Sequence, residues 1–164
     1  MDWMQKCREI CKHAKYVGEE IVWTAREDHA GALAARSAVL DGSRIVMPGL
    51  EFLGEVQYRT YGPYQKYSLM QLSGGRRLRV FVLEVMPSHR RSHVEPGLEL
   101  YGSHIQLGDE REFGISHLAK GVTSGLDVSS VKGWIERFQR HARVYDSDTY
   151  PLTPPFVDDL FSDP

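Results

Sequence analysis

At 164 residues, 41 % hydrophobic and 26 % charged, the chain has the length and balance of one soluble domain with a packed core. It contains no run of 18 apolar residues, its opening MDWMQKCREICKHAK has no apolar signal core, and two cysteines exclude a four-cysteine zinc site. A cytoplasmic protein without disulfides is therefore expected. The net charge of −2 conceals five acids and no base after Tyr145; the preceding chain is left at +3, too weak a field for a dedicated DNA-binding domain.

In chain order, Met4, Cys7, Cys11, Ala14 and Val17 recur at three- and four-residue steps and predict a helix over 2–20. The alanines of 30–35 suggest a short second helix or a single turn of one. From Ser37 the pattern becomes β. Residues 37–40 and 44–47 flank Asp41-Gly42, a hairpin pair, and Pro48-Gly49 marks a further turn. Leu50, Phe52, Val56 and Tyr58 alternate along a strand at 50–61 that ends at Gly62-Pro63. A strand at 66–72 turns through Ser73-Gly74-Gly75-Arg76 into 77–86. The run RLRVFVLEVM is apolar on both faces, as a central strand requires, and Pro87 closes it. Residues 88–97 read as a loop and 98–107 as a fifth long strand. A helix over 129–143 follows, with Val131, Trp134, Ile135, Phe138 and Ala142 as its apolar stripe. The fold class expected is α+β: a mainly antiparallel sheet of about four to six strands between an N-terminal and a C-terminal helix. Residues 1–145 form the domain and 146–164 an acidic, proline-rich tail carrying FVDDLF.

Chemistry concentrates in residues 83–109, LEVMPSHRRSHVEPGLELYGSHIQLGD, which hold three of the seven histidines. Glu84 stands between Val82 and Met86 in the alternating run, where a carboxylate must be paired or hydrogen-bonded; Arg79 or another sheet arginine is the ordinary partner, and a site histidine the functional one. His104 is a strand residue beside Gly102, which lets another backbone or a ligand approach. Glu84, His93 and His104 form the candidate catalytic set, because imidazole and carboxylate move protons at neutral pH. Arg90, Arg91, His89 and Tyr101 are the candidate substrate-binding residues, the guanidinium groups being suited to phosphate. No cofactor is expected; the one alternative is a divalent metal on His93, His104 and Glu84 or Asp109. Ser88-His89 and Ser92-His93 are sequence neighbours only, and Tyr58, Tyr61, Tyr64 and Tyr67 read first as packing residues and second as stacking platforms for single-stranded nucleic acid.

Several pieces in order resemble a loosely defined group of small uncharacterised bacterial and prophage-encoded proteins: Trp23-Thr24-Ala25-Arg26 with His29, Pro48-Gly49-Leu50, Lys66-Tyr67-Ser68-Leu69, Leu83-Glu84-Val85 with Pro87, Ser92-His93, and Tyr101-Gly102 with His104. The pattern covers roughly residues 20–145. Members commonly carry a second histidine two places after the position of His104, where this chain has Gln106. The resemblance implies a mobile-element origin and the location of a site, and no reaction. Two functions are expected from different classes: a ribonuclease-like, phosphoester-active or RNA-binding domain, and a non-catalytic prophage protein that meets a host factor through residues 146–164.

Overall fold

The computed structural model describes residues 2–18, 21–27, 29, 31–57, 64–95, 98–108, 110–112, 130–147 and 152–154, without the side chains of 93–95, 98 and 110–112. The chain is α+β. Helix α1 (Trp3–Lys12) is followed by β1 (Lys15–Val17), β2 (Thr24–Ala25), β3 (Ala32–Leu40), β4 (Val46–Gln57), β5 (Tyr64–Ser73) and β6 (Arg76–Val85). Then come β7 (Arg91–Glu95), β8 (Leu98–Tyr101), β9 (His104–Leu107), β10 (Glu110–Glu112), helix α2 (Val131–Ala142) and β11 (Val144–Tyr145). Among the described residues the main sheet has nine strands in the order β10-β9-β6-β5-β4-β3-β1-β11, with β2 also on β3; β7 and β8 pair apart. Every pairing is antiparallel except β1 with β11. The sheet is thus larger than the four to six strands expected, because short strands of two to four residues at its margins carry too little pattern to be read.

Four stretches in the first fifty residues differ from their sequence reading. The first helix stops at Lys12, with His13 extended, because Lys15 turns back: its Nζ donates to the carbonyls of Ile10 at 2.5 Å and His13 at 2.6 Å, closing the helix. Burial pushes that ammonium down to about 8. The alanines near 32–35 lie in β3, where Ala32 and Ala35 are buried in the sheet. Pro48-Gly49 lies inside β4; Gly49, at φ +71°, absorbs the irregularity between Ala38 and Leu40. The Asp41-Gly42 turn is also wider than a two-residue hairpin. Asp41 Oδ1 accepts from the amides of Ser43 and Ile45, and the left-handed residue is Arg44 (φ 64°), whose guanidinium lies 3.8 Å over the Tyr16 ring.

Both helices cover one face of the sheet. Phe138 of α2 sits at ring-centroid distances of 5.6 Å from Phe52, 6.0 Å from Tyr67 and 5.9 Å from Phe81, so one side chain ties together β4, β5 and β6. All five residues of the predicted α2 stripe are buried. Helix α1 adds Cys7 to the core and anchors on β6, where Trp3 Nε1 donates to the Arg79 carbonyl at 3.1 Å. Leu152 is fully buried in the same core. Its amide donates to Asp146 Oδ1 at 3.1 Å, so the chain after β11 turns back onto the domain. No helix among the described residues is long and apolar enough to cross a membrane.

Candidate functional site

Among the described residues no helix lies on the other sheet face, the helix-free face, and the register lines its side chains into rows. Ala34 of β3, Glu55 of β4, Lys66 of β5, Glu84 of β6 and His104 of β9 are successive cross-strand partners. The adjacent row runs Arg36, Leu53, Ser68, Val82 and Gln106. Directly opposed side chains lie about 5 Å apart, so the first row alternates acid and base by construction.

At its β9 end the first row closes into a hydrogen-bonded chain. His104 Nε2 lies 3.1 Å from Glu84 Oε2, Tyr64 Oη donates to Glu84 Oε1 at 2.8 Å, and Lys66 Nζ stands 3.4 Å from that oxygen. Glu84 therefore meets a histidine, a tyrosine and a lysine in place of Arg79. Its residue is 8 % exposed and that of His104 is 1 % exposed. Burial alone pushes the Glu84 carboxyl up. The hydrogen bond from His104, the Lys66 charge and the Tyr64 hydroxyl outweigh it and hold the group well below the usual carboxylate range.

On the other side of the ring, Ser92 Oγ lies 3.1 Å from Nδ1 and 3.5 Å from Nε2, and the Gly102 carbonyl stands 3.3 Å from Nδ1. Ser92 reaches the ring because β7 pairs Arg91 with Tyr101 and His93 with Leu100, leaving Ser92 as the extra residue of a bulge. The segment 88–97 is thus partly a strand, and 98–107 is two strands broken at Gly102-Ser103. Gly102 has φ +71°, and a Cβ there would stand 3.1 Å from Ser88 Cα, so the residue suits both the backbone and the space. Ser103 Oγ accepts from the Met86 amide at 3.1 Å and donates to the Met86 carbonyl at 3.2 Å, locking the start of β9 to the end of β6.

Of the predicted catalytic set, Glu84 and His104 meet; His93 lies in β7 by its backbone, and its side chain is outside the described residues, as is Asp109. Arg91 and Tyr101 gather on the exposed Glu99, at 3.8 and 3.2 Å, on the β7–β8 hairpin. His89 is exposed and Arg90 half-buried in the preceding turn, where the Arg90 amide donates to the Pro87 carbonyl and its carbonyl accepts from Gly102. None of these four is among the described contacts of His104. No group of three or more His, Cys, Asp or Glu placed to hold a metal occurs among the described residues. Tyr67 is a core residue donating to Gln65 Oε1, Tyr64 serves Glu84, and Tyr58 and Tyr61 lie outside the described residues.

Beside this chain, a cleft of about 590 Å³ opens on the helix-free face across β3 to β6. Its bases are Arg26, Arg36, Lys66, Arg77 and Arg79. Arg26 pairs with Glu55 at 3.0 Å, Arg36 and Arg77 (3.4 Å) share Glu51, and Arg79 makes no ion pair among the described residues. Gln106, 2 % exposed and cross-strand from the lining residue Val82, carries a buried amide nitrogen with no acceptor among the described residues. Sequence reading missed Ser92, Lys66 and this cleft. The alternation of Glu51, Leu53 and Glu55 with Lys66, Ser68 and Met70 was the available signal for the cleft. Comparison with family models, curated proteins and solved structures finds no match for the chain.

Proposed function

We propose that this chain binds a phosphate-bearing ligand, single-stranded RNA foremost, in the cleft on its helix-free sheet face. The carrying observation is the gathering of Arg26, Arg36, Lys66, Arg77 and Arg79 around one cleft. Their internal partners do not disqualify them. The Arg36 and Arg77 side chains are 57 % and 49 % exposed, so each guanidinium can turn free N–H groups toward a phosphate while still holding Glu51, which is itself 12 % exposed. Arg36 and Arg77 reach across the strands to the same Glu51 carboxylate, so their guanidinium groups are gathered where they can grip one phosphate or two neighbouring ones, with Arg79, Lys66 and Arg26 beside them. Among the described residues the lining includes no aromatic ring, so recognition by these residues rests on the backbone and little on base identity. His104 is 1 % exposed, so an RNA hydroxyl in the cleft does not reach its imidazole directly, which supports binding ahead of cleavage there.

Fluorescence anisotropy with a labelled single-stranded RNA, titrated at several salt concentrations, tests the reading. Arg79→Gln and Arg77→Gln should each weaken binding and flatten the log–log salt slope by about 0.7. Equal affinity of wild type and the double variant, or a salt-independent affinity, would refute it.

A further inference from the structure

We propose that Ser92 is a nucleophile and that Ser92, His104 and Glu84 form an acyl-transfer centre acting on carboxylic esters. The inference is independent of the cleft and of any RNA bound there. Nucleophilic catalysis by serine needs a hydroxyl open to substrate, a base within reach and a third group that holds the base. Ser92 is half-buried and His104 is 1 % exposed, so the serine is the more open end of the chain and a substrate meets it before the imidazole beneath. The ring nitrogen 3.1 Å away is the base, and Glu84, 3.1 Å from the other nitrogen, is its holder. Glu84 is in turn fixed by Tyr64 and Lys66. The scheme requires the tautomer with hydrogen on Nε2, toward the Glu84 carboxylate; Nδ1 then accepts from the serine hydroxyl, and the Gly102 carbonyl 3.3 Å from Nδ1 becomes its acceptor once that nitrogen is protonated. The ring is presented in the opposite sense to the common serine–histidine–acid arrangement, in which Nε2 meets the hydroxyl.

A serine whose only task was to satisfy a buried histidine would need no bulge; here the bulge is what aims Ser92 at the ring. At 3.1 Å from Nδ1 and 3.5 Å from Nε2, Oγ has Nδ1 as its nearer base and stands off the lone-pair axis of either nitrogen. In the reaction Ser92 Oγ attacks the ester carbonyl carbon and its proton passes to His104 Nδ1. The Oγ–C bond forms, the C–O bond to the alcohol breaks, and the departing alkoxide takes the proton back from Nδ1. Water then repeats the sequence on the acyl-serine and releases the acid. While protonated, the ring has the Glu84 carboxylate at Nε2 and the Gly102 carbonyl at Nδ1 as acceptors. Ser92 and His104 are catalytic residues in this scheme, and Glu84 is a positioning residue.

The test treats the full chain with a fluorophosphonate probe, maps the adduct by mass spectrometry, and follows p-nitrophenyl acetate hydrolysis in parallel. Labelling at Ser92 is expected in wild type and in Ser43→Ala, a remote turn variant, and lost in Ser92→Ala. Glu84→Gln should slow labelling at least tenfold and His104→Gln at least a hundredfold. Because His104→Gln replaces a buried side chain, Ser92→Cys supplies a second reading. The thiol it introduces should react with iodoacetamide at neutral pH at least tenfold faster in the folded chain than in urea. A folded wild type unlabelled at Ser92, labelling that persists at full rate in Glu84→Gln, or a Ser92→Cys thiol no faster than in urea overturns the proposal.

Discussion

Glu84 is the residue on which the helix-free face turns. A carboxylate so buried survives only because His104, Lys66 and Tyr64 converge on its two oxygens. Removing the charge while leaving its partners in place should cost more than removing a partner. Glu84→Leu is expected to destabilise the fold by about 3–5 kcal/mol, and Tyr64→Phe by about 1–2 kcal/mol, measured by urea unfolding. The pH dependence has a definite sign. With the folded pKa depressed, the unfolded chain takes up a proton near the ordinary value of about 4.3, while the folded one stays ionised. The stability Glu84 contributes is therefore fully present above that value and lost as pH falls below it toward the folded pKa. Wild type should lose stability faster than Glu84→Gln between about pH 4.5 and 2; parallel curves would show that the carboxylate is not held in this way. Glu84 was legible in the sequence as a charge out of place in an apolar run. Its partners were not, because Lys66 and His104 meet it through strand register, which no local spacing encodes.

At the scale of elements, the β7–β8 hairpin and its link to β9 decide whether Ser92 faces His104. Gly102 is the joint: it takes φ +71°, packs on Ser88 and offers its carbonyl to the imidazole. Gly102→Ala should cost about 1–2 kcal/mol in backbone strain and displace the hairpin, so fluorophosphonate labelling of Ser92 falls while the core of β4, β5 and β6 keeps its amide protection. Hydrogen exchange with mass spectrometry reads both; unchanged labelling would mean that the joint does not position the serine. The strands that sequence reading found best, β5 and β6, are long, and β6 is apolar on both faces. The hairpin escaped it for a physical reason. Five residues between proline-bearing turns look like loop, and alternation continues across Gly102, so two strands in different sheets read as one. Ser92 was invisible for the same reason, its role being set by a bulge that only pairing with β8 creates.

For the molecule as a whole, helices on one face and a polar cleft on the other divide the chain into a stabilising half and an open half. The stabilising half extends past β11: Leu152 is wholly buried in the core, and Asp146 receives both the Leu152 amide and Gln139. Leu152→Ala should cost about 2–4 kcal/mol by thermal or urea unfolding, as for other buried leucines. Deleting 146–164 to test partner binding therefore also removes a core residue, and a shorter deletion beginning after Pro154 separates the two effects. The open half carries the central claim. Backbone amide chemical shifts recorded during titration with a short single-stranded RNA test it most directly. Saturable shifts are expected on β3, β4, β5 and β6 around Arg36, Lys66, Arg77 and Arg79, with α1 and α2 unmoved. Shifts centred on the helices, or none at millimolar RNA, would contradict it.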